Sequence, residues 1–283
     1  MKIKYVLFLL SFIIINCSID EDTKIDSNND NNNVNEVPGL NFSDKLDWLQ
    51  MNASSNNNYT IVINSSENMT PIILYYINNK NINITLTSNG AERVILLVSN
   101  GSLFTVGDGI TLIIDKNITL AGKVDNNAPL VYINNGGSFI MNTGSIITSN
   151  SANSGSIRVG GVYINENGKF VMNGGKISGN SGRDNDSSST GSGGVYVNKY
   201  GMFIMNDGEI SNNYNSGVYV ISDGNFIINN GKILDNYIVI LNSITYANGV
   251  YSGGTFTMYG GEIDRVSIWG GNFTQNGGLI YYN

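Results

Sequence analysis

Gly161–Asn180, GVYINENGKFVMNGGKISGN, is the stretch from which the rest of the chain is read, because it recurs five more times with little change. With its phenylalanine as origin, Phe139, Phe170, Phe203, Phe226, Phe256 and Phe273 each have a glycine five residues on and an isoleucine seven on. The glycines are Gly144, Gly175, Gly208, Gly231, Gly261 and Gly278; the isoleucines are Ile146, Ile177, Ile210, Ile233, Ile263 and Ile280. Two positions after the Phe stand Met141, Met172, Met205, Ile228, Met258 and Gln275. Eight before the first four stand Val131, Val162, Val195 and Val218. Self-similarity at a period of a few tens of residues is the mark of a solenoid, in which each repeat buries its apolar face only against its neighbours.

The apolar alternation says which solenoid. Val-x-Ile or Val-x-Val, then Phe-x-Met, then a lone Ile are short period-two runs parted by Gly and Asn, so each repeat reads as three short strands with turns between them. The Phe-to-Phe distances are 31, 33, 23, 30 and 17 residues, and three strands with three turns fit the 23-residue repeat without room for a helix. The expected fold is all-β: a parallel β-helix with one coil per repeat.

The same residues carry a resemblance. Residues 194–213, GVYVNKYGMFIMNDGEISNN, and their siblings resemble the GGxYxxxxGxFxMxGGxIxxN repeats of bacterial cell-surface and secreted proteins with a right-handed, pectin-lyase-like β-helix. The likeness is close over 131–283 and loose over 59–130. It implies the right-handed coil, which spacing alone does not. It implies no single activity, because the architecture carries polysaccharide lyases, glycosidases and inert adhesin stalks alike.

Composition agrees with this reading. With 34 Gly, 3 Pro and only 13% charged residues, the chain is turn-rich and poor in helix formers. A single cysteine rules out an intramolecular disulfide framework. Lys and Arg number 15 against 22 Asp and Glu, giving −7 with no basic cluster, so nucleic acid is not an expected partner.

The first 17 residues read as a targeting segment. Lys2 and Lys4 make a basic start, Tyr5–Ile15 is an apolar run too short to span a bilayer, and Cys17 follows. This resembles a bacterial lipoprotein signal in which Cys17 is lipidated, with Asn16 in a place that usually holds Gly, Ala or Ser; such looseness resembles spirochaete lipoproteins. An ordinary secretory signal with an incidental cysteine is the alternative. Residues 18–40 hold six Asp or Glu, one Lys and a run of Asn, and are expected to be a disordered tether.

The folded body is expected over 41–283. Asn41–Ala53 has the one helical pattern, with Ser43 to cap, Asp44 in the first turn, and an apolar stripe of Leu46, Trp48 and Leu49. A β-helix exposes the edge of its first coil, and this helix is expected to cover it, with Trp48 as plug rather than ligand contact. Residues 58–130 are strand-rich but lack the Phe, Gly, Ile spacing, so irregular coils are expected there, ahead of regular repeats over 131–283 and about ten coils in all, each rising about 4.8 Å. Length differences among repeats fall between the Asn that closes the third strand and the next Val, so the insertions should leave from one side. At the C-terminal end Trp269, Tyr281 and Tyr282 are expected to form an aromatic lid, with end-to-end pairing as the alternative.

Stacked repeats make columns. Asn142, Asn173, Asn206, Asn229, Tyr259 and Asn276 predict an amide ladder. Ser145, Lys176, Glu209, Lys232, Glu262 and Leu279 predict a column of alternating charge. Tyr132, Tyr163, Tyr196, Tyr219, Tyr251 and Trp269 are the candidate binding residues: with Val and Ile inward they point outward, as a stripe about 25 Å long able to stack sugar rings or simply to stack on one another.

There is no histidine, and a lipidated Cys17 leaves no thiol, so His-dependent acid–base chemistry and cysteine nucleophiles are excluded. The carboxylates Asp207 with Glu209, and Glu262 with Asp264, lie two apart, at about 6.5–7 Å near the lower limit for an inverting glycosidase pair. No Asp set on consecutive coils matches the Ca²⁺ site of lyases of the resembled kind. The expectation is a lipid-anchored, monomeric body at the outer membrane or cell surface, without cofactor or metal, that binds or displays, with glycan or a host surface as ligand. A polysaccharide lyase or glycosidase is the alternative, and a passive coat the third reading.

Overall fold

The structure, a computed structural model, describes residues 34–78, 80–153, 158–182, 191–240 and 243–281. The signal segment with Cys17, the tether up to residue 33, and Tyr282 lie outside them. The body is the expected all-β parallel β-helix. Three long sheets hold ten, nine and eight strands, every pairing within them parallel, and each sheet takes one strand per coil. Within a coil the chain visits the Phe sheet, the Ile sheet and the Val–Tyr sheet in that order, as in Lys169–Met172, Lys176–Ser178 and Ser192–Val197.

Register turns the repeat into columns. Phe139, Phe170, Phe203, Phe226, Phe256 and Phe273 are direct neighbours, and their rings stack 4.8–5.2 Å apart. The first five are fully buried, as are Met141, Met172, Met205, Ile228 and Met258 two residues on. The recurring glycine sits at a positive φ close over the backbone of the coil before. Gly208 has φ 108°, and a Cβ there would stand 2.7 Å from Met172 Cε; at Gly231, with φ 104°, the clash would be with Met205 Cε at 2.6 Å. The methyl could move aside, but the left-handed backbone and the carbonyl of the coil before, Gly175 O at 2.8 Å from a Cβ at Gly208 and Gly208 O at 2.7 Å from one at Gly231, exclude a side chain.

Two expectations about the coils need correction. Residues 58–130 are not irregular: Asn58–Ile63, Ile82–Ser88 and Ile110–Ile114 continue the Phe sheet, placing Tyr59, Ile84 and Leu112 under Phe139 in one column. What changes is the residue that fills the column, aliphatic instead of Phe, because the interior requires bulk and not a ring. The second correction is Ile146. The turn after Met141 is one residue longer than those that follow, so Ile147 pairs with Ile177 and is buried, while Ile146 pairs with Lys176 on the outer face.

The N-terminal end is closed. Helix Phe42–Asn52 is capped by Asn41, not Ser43, in a reciprocal capping box with Asp44. Phe42 and Leu49 are its buried apolar residues, Leu46 and Trp48 being half-buried; Trp48 packs edge-on to Tyr59 at 6.1 Å. Two polar contacts fasten the helix to the first coil: the Phe42 amide donates to the Glu67 carboxylate at 3.0 Å, and the buried Lys45 ammonium donates to the Val62 carbonyl at 2.6 Å. Order begins before residue 41, contrary to the expected tether boundary. Val34–Glu36 pairs with Asn58–Thr60 as the first rung, and Val37 is buried. The apolar Val37, easily overlooked in an acidic stretch, holds that rung down.

The insertions leave from one corner, as the spacing predicts. Strands of the Ile and Val–Tyr sheets are joined by 122–130, 149–161, 179–191, 212–215 and 235–249, whereas turns at the other two corners hold two to four residues, apart from the seven of 75–81. The insertion at 235–249 includes an antiparallel hairpin, Tyr237–Ile240 with Ser243–Tyr246. At the C-terminal end Trp269 and Tyr281 do not cover the last coil. Trp269 lies against Gly253 and Tyr281 donates to Glu262, each in the coil before, so both rest on the flank.

Candidate functional site

Tyr132, Tyr163, Tyr196, Tyr219 and Tyr251 occupy one column of the Val–Tyr sheet, as their spacing requires. Their rings stack on one another at 5.1–5.2 Å, nearly parallel up to Tyr219. Trp269 is off the register: Ser267 is the partner of Tyr251, and the indole reaches back from two residues on, at 6.2 Å. The stacking decides what the column offers. A sugar ring needs an open aromatic face, and between coils each face is taken by the next tyrosine. Burial pushes the phenols up as well, Tyr163 to about 12 and Tyr196 further, with Tyr132 and Tyr219 moved the same way. The free surfaces are ring edges and the exposed Trp269.

Asparagine forms more ladders than the one expected. On the exposed turn after the Phe strands, Asn173, Asn206 and Asn229 each donate to the Asn of the coil before at 2.8–3.1 Å. A second, fully buried ladder runs through Asn126, Asn150, Asn180, Asn213 and Asn236 at the corner where the insertions leave. Asn213 donates to Asn236 and to the Ile177 carbonyl, and receives from Asn180. Its sequence signal is an Asn three residues after each of Ile147, Ile177, Ile210 and Ile233. These amides satisfy one another where strands break to let loops out, which is what buried polar groups require.

The surface feature with depth lies elsewhere. Along the turns between the Phe and Ile strands runs an open groove of about 520 Å³, lined by Lys176, Asp207, Glu209, Lys232, Glu262 and Leu279 over the backbone of Gly175, Gly208, Gly231 and Gly261. These glycines, held at positive φ against the backbone of the coil before, leave no side chains on its floor. Its walls are the expected charge column: Lys176 pairs with Glu209 at 2.9 Å, and Lys232 with Glu262 at 3.1 Å. The Ser211 hydroxyl and Lys176 hold Glu209 below the usual carboxylate range, and Lys232 and the Tyr281 hydroxyl do the same for Glu262. Groups held ionised in this way accept hydrogen bonds but are poor proton donors near neutral pH.

The carboxylates of each pair are engaged with different partners. Asp207 accepts from the Gly208 amide at 2.8 Å while Glu209 is engaged by Ser211 and Lys176. Asp264, beyond the buried Ile263, faces the loop corner, where its Oδ2 accepts from the Asp235 amide at 2.8 Å; burial pushes it up to about 6. Among the described residues no three metal-ligating side chains cluster. No family model, no curated protein and no solved structure matches the chain.

Proposed function

We propose that the chain is a membrane-anchored binding module, held through Cys17, whose β-helix receives an extended glycan along the groove between the Phe and Ile sheets. The observation that carries this reading is the groove itself: five coils long in its lining, floored by bare backbone and walled by alternating charges. Repeated hydrogen-bonding groups at coil spacing suit a ligand that also repeats. Lys176 and Lys232 against Asp207, Glu209 and Glu262 leave the walls at 2 − 3 = −1, which fits a neutral or weakly charged sugar polymer better than a polyanion. Tyr281, bonded to Glu262 and 40% exposed, sets an aromatic surface beside one end.

A glycan array probed with the full chain tests the proposal. Specific hits weakened by Glu209→Gln and Lys232→Gln are the expected result. Hits that survive both changes and fall with Tyr219→Ala would move the site back to the tyrosine column, depolymerised sugar would make the chain an enzyme, and silence would leave a coat or spacer; each of these overturns the groove reading.

A further inference from the structure

The floor and the walls of the groove ask for different parts of a ligand. Along the floor the carbonyls of Gly175, Gly208 and Gly231 already accept from the amides of Glu209, Lys232 and Glu262 in the next coil. With those acceptors engaged, the floor offers flat peptide faces. The walls keep the polar side chains: Asp207 and Glu209 flank Gly208, and Asn230 and Lys232 flank Gly231. Register sets Lys176, Glu209, Lys232 and Glu262 on four successive coils. Like charge therefore recurs at every second coil, a distance of about 9.6 Å for a strand spacing of about 4.8 Å.

A ligand that fits has apolar faces, polar edges and a repeat of two units. We infer, resting on the glycan reading of the groove, that it is a β-1,4-linked polysaccharide of the glucan or chitin type, lying as a flat ribbon along the solenoid axis with one ring per coil. In such a ribbon the ring substituents are equatorial, so C–H groups make both faces, while hydroxyls or acetamides make the edges. The faces suit the glycine floor and the edges suit the walls. Each ring advances by close to one strand spacing and is turned over relative to the one before. One wall thus meets a C6 edge and a C2–C3 edge in alternation, in step with Lys, which only donates hydrogen bonds, and Glu, which when ionised only accepts them. An α-1,4-linked chain coils and a β-1,3-linked chain curves, and neither keeps one face on a straight floor.

Isothermal titration of the full chain in detergent with cellohexaose, chitohexaose, maltohexaose and laminarihexaose tests this. The expected result is that one or both β-1,4-linked hexamers bind at least about tenfold more tightly than the other two. The double exchange Glu209→Lys with Lys232→Glu keeps the composition and net charge of the wall but changes its order to Lys, Lys, Glu, Glu. It should weaken that binding by about tenfold, as the loss of two polar contacts would. Circular dichroism shows whether the exchanged chain keeps its strand content; should it not, the linkage comparison on the parent chain carries the test. Maltohexaose or laminarihexaose bound as tightly as the β-1,4-linked hexamers, and still weakened by Glu209→Gln, overturns the ribbon and leaves the glycan groove standing. A β-1,4-linked hexamer bound equally by the parent and a folded double exchange overturns the match of periods. Silence toward all four sugars overturns the inference, and the glycan array then decides the groove reading on its own.

Discussion

The coils over 58–133 and those over 138–280 have the same three sheets in one continuous register, yet only the second set shows a repeat to the eye. In the first set the inner column is Tyr59, Ile84 and Leu112; in the second it is Phe at every rung. The difference teaches that the coil is specified by which positions face inward and by turn length, while the ring stack is an addition. Leu112 and Phe139 sit one above the other and both are fully buried.

The largest effects should come from breaking the stack. Phe203→Ala removes a ring lying between Phe170 and Phe226 at 4.8 and 4.9 Å, and should cost about 3–5 kcal/mol. Leu112→Ala leaves a smaller cavity and no broken ring pair, and should cost less within about 2–5 kcal/mol. Chemical denaturation of both variants measures the difference; equal losses would mean that the rings contribute bulk alone.

Next in size is the buried asparagine ladder, whose linked run from Asn180 to Asn236 belongs to the repeat-bearing coils. Asn213→Ala removes the buried acceptor of the Asn180 backbone N–H, now 3.1 Å away, and the donor to the Ile177 carbonyl, and should cost about 1–3 kcal/mol for each group left unpaired. Asn206→Ala, in the exposed ladder, leaves groups that water can satisfy and should cost under about 1 kcal/mol. If the exposed change proves the more harmful, the ranking of the two ladders by burial is wrong.

How much of this was legible in the sequence follows from the same contrast. Phe, Met, Gly and Ile at fixed offsets gave away the coil because packing against identical neighbours repeats both the need and its solution. Ile84 and Leu112 met the need with other residues, so the offsets vanished and the early coils read as irregular. A one-residue longer turn after Met141 misassigned Ile146, since counting cannot see an insertion between two adjacent isoleucines. The tyrosine column was located correctly, Trp269 apart, but ring spacing between coils is a property of the stack, and that spacing closes the faces to a ligand. The groove was hidden in plain glycine: its walls were recognised as a charge column, while its floor required knowing that the backbone of each coil lies too close under the next for a side chain there.

Alkaline pH should separate the two regions without mutation. Tyr163 is pushed from 10.0 to about 12 by burial in the column, and Tyr196 is raised further, so the folded state holds these protons more tightly than the unfolded chain. Their contribution to stability is present below about pH 10 and is lost as pH rises through 12. In the early coils Tyr76, also moved to about 12, and Tyr132, moved up by burial, are such groups, against Tyr163, Tyr196 and Tyr219 in the later ones. Denaturation midpoints from pH 8 upward should fall less steeply in Tyr163→Phe and Tyr196→Phe than in the parent, and an unchanged slope would show that the column does not control the loss.

The smallest expected effect concerns the groove walls, which exist only where the repeat is regular. Lys232 lies in register between Glu209 and Glu262 and pairs with Glu262 at 3.1 Å, with its own side chain 55% exposed. Lys232→Glu places three acids in a row at coil spacing, so attraction becomes repulsion on both sides. Because the site is open to water, the penalty is modest and ionic strength screens it, the screening length falling from about 30 Å at 0.01 M salt to about 3 Å at 1 M. The melting temperature of the variant should lie below that of the parent at low salt and approach it at high salt. Leu112→Ala, whose loss is a cavity, should show no such recovery. A Lys232→Glu deficit that persists undiminished in high salt would mean that the lysine's aliphatic stem, packed along the groove, contributes more than its charge.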